Sequence, residues 1–320
     1  MSRRDTTAAG SREVQERRRD RTLRLGVFVS LALYFTLTHF LIGIRGEHIV
    51  LSILLAVLAI AHRQTLRLLI YAAPLILTGI SYDFVRFLTR FRGEIHVDDI
   101  YHWELALFGV GHGETAQVPA LWFLDHTHRF LDFVCGIAYM TYVYVPILLS
   151  VVMYFFARER GRVVGIAFLA TNLIGIAIYL LFPAAPPWYV HDYGLGPADL
   201  SAVPNAAGTL RFDEIIGVPY FEEYYKRSAN VFGAVPSLHT AYPLSSALVT
   251  WRLGWRWRAP LVGFAALVGF SAVYLQHHYI LDVIAGVVCA AAGTALAEHV
   301  FSARELGSAR LPEETEVSRA

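Results

Sequence analysis

Apolar residues fall in eight long runs separated by polar stretches, at approximately 25–44, 49–61, 68–88, 131–157, 163–182, 236–251, 260–276 and 279–302. A bilayer core of about 30 Å needs roughly 20 apolar residues per helix. Seven runs fit that length or nearly so, and the run at 49–61 is short. The pattern predicts an all-α polytopic membrane helix bundle spanning 25–302, with its core at about 68–302. The polar ends, 1–24 and 303–320, read as disordered tails. The first of these is too long and arginine-dense for a signal peptide, and many spans follow it.

Two polar interruptions are long. Residues 89–130 contain HVDDIYHWELALFG, which reads as an amphipathic helix with Ile100, Trp103, Leu107 and Phe108 on one side. Such a helix lies in the membrane interface rather than crossing it. Residues 183–235 open with FPAAPPWY, whose prolines end the preceding helix and fix an extended turn.

Charge orients the bundle. Nineteen of the 27 lysines and arginines fall on one set of ends, if successive runs alternate direction. Positive loops stay cytoplasmic, so both termini are expected inside and both long loops outside. Arginine outnumbers lysine 26 to one, Lys226 being the single lysine, as in a GC-rich bacterium. The expected location is therefore a bacterial inner membrane.

Composition adds little. The 320 residues are 56% hydrophobic, with mean hydropathy +0.47, above the roughly 45–50% of soluble domains. A net charge of +1 gives no case for nucleic acid as a partner. Cys135 and Cys289 sit in apolar runs and read as buried hydrophobes, not a disulfide framework.

Candidate chemistry gathers at two polar knots on the outer face. In YLQHHYILD, His278 and Asp282 are four apart and would share a helix face. An aspartate holding one imidazole nitrogen leaves the other as a lone pair suited to attack on phosphorus. The alternative is a structural polar pair, although ionisable groups at membrane depth tend to be functional. His277, on a helix, would point about 100° away.

In VFGAVPSLHTA, Pro236 suits a first helical turn, leaving N–H groups near Ser237 unpaired as a phosphate seat. His239 would act as general acid. The bland reading is a cap plus an interfacial histidine. Arg86, at the outer end of the third run, is a phosphate clamp or a snorkelling arginine. Lys226 and Arg227 are further phosphate contacts or solvated loop charges. His96, His102, Asp98 and Asp99 match no usual zinc spacing, so neither metal nor cofactor is expected.

These residues resemble signature motifs of the type 2 phosphatidic acid phosphatase superfamily. Pro236-Ser237-Leu238-His239 is similar to its Pro-Ser-Gly-His, and Ser271 with His278 and Asp282 to its last motif. Ala272 stands where that motif has arginine, and the superfamily's opening lysine motif is absent. FPAAPPWY, SYDFVR and IHVDDIYHWELALFG look like the inositolphosphotransferase and inositol phosphorylceramide synthase branch. The resemblance covers roughly residues 80–290.

It implies a six-helix catalytic core with about two extra N-terminal helices. It also implies His278 as nucleophile forming a phosphohistidine, Asp282 supporting it, and His239 as acid and then base. Ser237 and Arg86 would hold the phosphate, and Lys226, Arg227, His277 and Trp188 complete the substrate-binding set. The implied activity is headgroup transfer between membrane lipids serving as donor and acceptor. A lipid phosphate phosphatase using water as acceptor and a non-enzymatic transporter are the alternatives.

Overall fold

Every apolar run lies on a helix. The computed structural model describes residues 3–301 apart from 229. First come α1 (Arg3–Leu41), α2 (Gly46–Ala61), α3 (Arg63–Asp83) and the single turn α4 (Val85–Leu88). The first long loop carries α5 (Asp98–Phe108) and α6 (Pro119–Trp122), and then α7 (Arg129–Thr141), α8 (Tyr144–Phe156) and α9 (Arg158–Leu181) follow. The second long loop holds α10 (Pro187–Tyr193), α11 (Leu210–Ile216) and α12 (Tyr220–Tyr225). Last come α13 (Leu238–Val249), α14 (Trp255–Tyr274) and α15 (Ile280–Val300).

The chain is a multi-pass membrane protein. Among the described residues five stretches are long and apolar enough to cross a bilayer: Glu13–Leu41, Arg63–Phe91, Arg158–Leu181, Trp255–Tyr274 and Ile280–Val300. α7 and α8 make a sixth if taken as one span bent by 55°. Two of the eight expected spans are shorter than a membrane is thick. α2 has 16 residues and α13 only 12. The reason for α13 is local: Ser237 is still extended at ψ 99°, and a 3₁₀ turn leads to Gly254 at φ +101°. Large apolar side chains such as Phe155 (80% exposed) and Leu181 (81%) face outward, as lipid contact requires.

The chain divides within α3 into two compact units, one ending at Ala73 and the other starting at Pro74. In the first, α1 packs on α2, and Tyr34 meets His48 edge-on. The polar stretch expected to be a disordered tail continues α1 from Arg3. Charge pairing is the local reason. Arg17 bonds Glu13 one turn away at 2.7 Å, and Arg63 pairs with both Asp20 and Glu16. The other expected tail, 303–320, lies outside the described residues.

In the second unit α9, α13 and α15 form the centre, flanked by α8 and α14. Phe168, Tyr179, Leu238, Tyr242 and Cys289 meet between them. Close approach depends on glycine. A Cβ on Gly286 would stand 2.5 Å from the Ser237 carbonyl oxygen, and one on Gly293 2.2 Å from Thr171 Oγ1. Small residues admit such contacts between helices in lipid.

Three loop stretches are laced together in parallel. The His96 N–H donates to Pro183 O, and the Ala185 N–H to His96 O, at 2.8 and 2.9 Å. The Ala184 N–H donates to Phe232 O, and the Ala234 N–H to Ala184 O, at 3.1 and 3.2 Å. The FPAAPP turn thus runs between HVDD and VFGAVP. The amphipathic helix exists as α5, but its faces divide differently from expectation. Ile100 is buried, whereas Trp103 and Leu107 are exposed.

Candidate active site

α14 ends at Tyr274, and the chain reverses through Gln276 at φ +60°. The N–H groups of His277 and His278 both donate to Ala272 O at 3.0 Å. His278 therefore precedes α15 and does not share a helix with Asp282. Tyr279 is the N-cap, and Asp282, third residue of α15, accepts the Tyr279 N–H at 2.8 Å. The pair still meets, because an N-cap turn brings the residue before it back over the first helical turn. His278 Nδ1 lies 2.9 Å from Ala234 O and 3.3 Å from Asp282 Oδ2. A carbonyl only accepts, so Nδ1 carries a proton, and in the neutral ring Nε2 is then the lone pair.

His239 is the second residue of α13. Its Nδ1 stands 3.1 Å from His278 Nε2, and the ring centroids are 5.2 Å apart. Since His278 Nε2 accepts, His239 Nδ1 is the donor. The His239 ring stacks on Tyr139 at 4.1 Å and lies beside Tyr142 at 4.3 Å. Tyr139 Oη is 3.3 Å from His239 Nδ1 and accepts from Tyr225 Oη at 3.3 Å.

Both histidines open into a cavity of about 320 Å³. Arg86, Arg227, Trp188 and His277 line it too, together with Asp83, Ser228 and Asn230. Arg86 Nη2 donates to Arg227 O at 3.0 Å, which joins the α3–α4 end to the loop before α13. His277 does not turn away from His278 as a helix would make it; the Gln276 turn aims both at the cavity. Its Nε2 donates to Ala206 O at 3.0 Å, and its ring stacks on Tyr225 at 4.5 Å. Burial, with the neighbouring His278, pushes the His277 imidazole down to about 3.

Two expected phosphate ligands lie elsewhere. Ser237 is fully buried and does not line the cavity; its N–H donates to Asp282 O at 2.9 Å, and its hydroxyl faces Thr240 Oγ1. Pro236 precedes the helix instead of opening it. Lys226 is exposed and tied to Glu222 and Glu223, each at 2.9 Å. His96 bonds Asp99 and stacks on Phe182, while His102 donates to the Asp98 carbonyl. Among the described residues no group of three or more His, Cys, Asp or Glu converges as metal ligands.

A second cavity of about 240 Å³ adjoins the first. It is lined by apolar and aromatic side chains, among them Leu75, Met140, Ile147, Phe168 and Phe221. His239, Tyr139, Tyr82 and Tyr224 line both cavities. Tyr139 gave no signal in the sequence, since a tyrosine inside an apolar run reads as core.

A bundle of apolar helices with two imidazoles 3.1 Å apart at a cavity fits a membrane phosphotransfer enzyme. The chain belongs to the PAP2 superfamily, whose family model matches residues 101–296. It is similar to the phosphoinositol dihydroceramide synthase of Bacteroides thetaiotaomicron, 41% identical over 275 residues, covering 84% of this chain and 89% of that protein. It is also similar to the inositol phosphorylceramide synthase of Candida albicans, 35% identical over 144 residues, 45% of this chain and 31% of that one. With inositolphosphotransferase 1 of Saccharomyces cerevisiae it shares 34% identity over 114 residues, 33% of this chain and 21% of that protein. No solved structure matches the chain.

Proposed function

We propose that this enzyme moves a phosphoinositol group from a donor lipid to the hydroxyl of a ceramide-type acceptor, through a phosphohistidine on His278. The observation that carries the reading is that His239 lines two cavities, of which only the first has Asp83, Arg86, Arg227 and Asn230 in its walls, while the second is walled almost wholly by apolar and aromatic side chains. The first suits phosphate and polyol; the second suits the chains of a lipid alcohol. The names of the similar proteins agree with that division.

The chemistry follows from the hydrogen bonds. Ala234 O and Asp282 hold the His278 Nδ1 proton, so Nε2 attacks the donor phosphorus. As the P–N bond forms, the P–O bond to the donor alcohol breaks, and His239, an imidazolium in the donor-bound state, gives that oxygen its Nδ1 proton and is left as the neutral ring. The acceptor hydroxyl then enters beside His239, loses its proton to Nδ1 and displaces His278 from phosphorus. The phosphoryl group must come between the rings, so the 3.1 Å contact opens on binding. Arg86 and Arg227 neutralise phosphate charge, His277 and Trp188 bound the polyol, and no metal or cofactor enters a step. Ser237 acts by seating α13 on Asp282, and Lys226 belongs to the surface. The domain is read as embedded in a bacterial inner membrane, termini cytoplasmic, with the histidines on the outer face.

The test is reconstitution in vesicles holding inositol-labelled phosphatidylinositol and dihydroceramide. Label appearing in a ceramide-linked lipid is expected. Label released only as water-soluble inositol phosphate would mean a hydrolase.

A further inference from the structure

Glu104 sits on α5, flanked in sequence by the exposed Trp103 on one side of that helix, yet it is itself fully buried. Its Oε1 accepts the Ile280 N–H at 2.8 Å, and its Oε2 accepts the Leu281 N–H at 3.0 Å. Those are the first two residues of α15. Asp282 takes the N–H just before them, that of Tyr279. Three consecutive donors at the start of the catalytic helix are thus held by two carboxylates.

Helix N-termini are ordinarily capped by a neighbouring Ser, Thr, Asp or Asn. Here the cap comes from 176 positions away along the chain, and it is a charge taken out of water. A local neutral cap would satisfy the same N–H groups at less cost. What the remote carboxylate adds is a fixed link between α5 and the residues directly after His278. On the other side of His278, its own N–H is already pinned to Ala272 O.

We infer that Glu104 is a positioning residue for the nucleophile: by gripping the Ile280 and Leu281 N–H groups it sets the direction of α15, and so the approach of Asp282 to His278 Nδ1. The inference rests on the phosphohistidine reading above. Its charge state is tunable. Burial pushes the Glu104 carboxyl up to about 6, against the pull of the two N–H groups, and the Asp282 carboxylate adds to the rise. Tyr279 is the other titratable group beside it, with Tyr101 next to Tyr279 in turn. Protonation removes the charge and turns one oxygen into an O–H, a much weaker acceptor for the N–H it faces.

The full-length enzyme in vesicles, with Glu104→Gln and Glu104→Asp, provides the test. Glu104→Gln puts an amide NH₂ against a backbone N–H. It is expected to lower kcat about 10- to 100-fold, the range for residues that orient a working histidine, with KM for both lipids within about twofold. The acid side of its rate profile should lose one proton of steepness. Glu104→Asp, which keeps the charge, should recover part of kcat. In parallel, ¹⁵N shifts of His278 are expected to change from a single Nδ1–H tautomer to a mixture in Glu104→Gln. A drop of the same factor at every pH with an unchanged His278 tautomer, or no drop at all, would overturn the inference. If the unmodified protein transfers no headgroup, the function proposal fails, while the tautomer measurement still decides the role of Glu104.

Discussion

His239 Nδ1 stands 3.1 Å from His278 Nε2, although 39 positions separate the two in the chain. In the proposed mechanism that contact is the resting form of an acid–nucleophile couple. Removing either ring should therefore cost nearly the whole activity, because such units fail together. His278→Ala and His239→Ala are each expected to lower transfer by several orders of magnitude. Donor lipid labelled at phosphorus should leave acid-labile label on the unmodified protein and none on His278→Ala.

Asp282 accepts from both the Tyr279 N–H and His278 Nδ1. Asp282→Asn keeps the shape but can present its NH₂ to either donor. We expect kcat to fall about 10⁴-fold, the loss seen when an aspartate that orients a catalytic histidine becomes asparagine, with donor KM little changed. Steady-state kinetics on purified enzyme would check it.

The three basic residues near the first knot should separate cleanly. Arg86 and Arg227 line the cavity, whereas Lys226 is held by Glu222 and Glu223 at the surface. Losing a charged hydrogen bond to phosphate costs about 1.5–3 kcal/mol, so Arg86→Gln should raise donor KM about tenfold or more. Lys226→Gln should change it less than twofold.

His277 gives a pH dependence of defined sign. An unfolded imidazole titrates near about 6.5, and in the fold burial brings this one down to about 3. Between those values the unfolded chain binds a proton that the folded protein refuses. Stability should fall as pH drops from about 6.5 toward 3, by up to about 1.4 kcal/mol per pH unit from this group. Thermal unfolding in detergent should show a shallower acid decline for His277→Gln than for the unmodified enzyme.

Gly286 lies where α13 begins to cross α15, and a Cβ there would meet the Ser237 carbonyl oxygen. Overpacking of this kind costs about 1–3 kcal/mol. Gly286→Ala should lower the unfolding temperature, and it should also lower kcat, since Ser237 directly precedes the helix that carries His239.

The helical bundle was legible because lipid imposes long apolar runs, and all eight runs lie on helices. The side chains that meet, His239, His278 and Asp282, lie in the motifs at 231–241 and 274–282. Their geometry was not legible there. The four-residue spacing of His278 and Asp282 suggests a shared helix, but the contact arises at an N-cap. Ser237 looks like a phosphate ligand until its N–H is seen to reach Asp282 O across the bundle. Glu104, Tyr139 and the pairing around Ala184 depend on residues far apart in the chain. Periodicity has no access to such contacts.

Ala234 reaches His278 only through the register of paired backbone that runs from His96 through Ala184 to Phe232. The proton on His278 Nδ1 is consequently held through main-chain spacing. Lengthening or shortening any of the three by a single residue would slide the carbonyl off the ring. Changes of side chain at the same positions would leave it in place. The loops here are the mould in which that contact is cast, by their length more than by their composition.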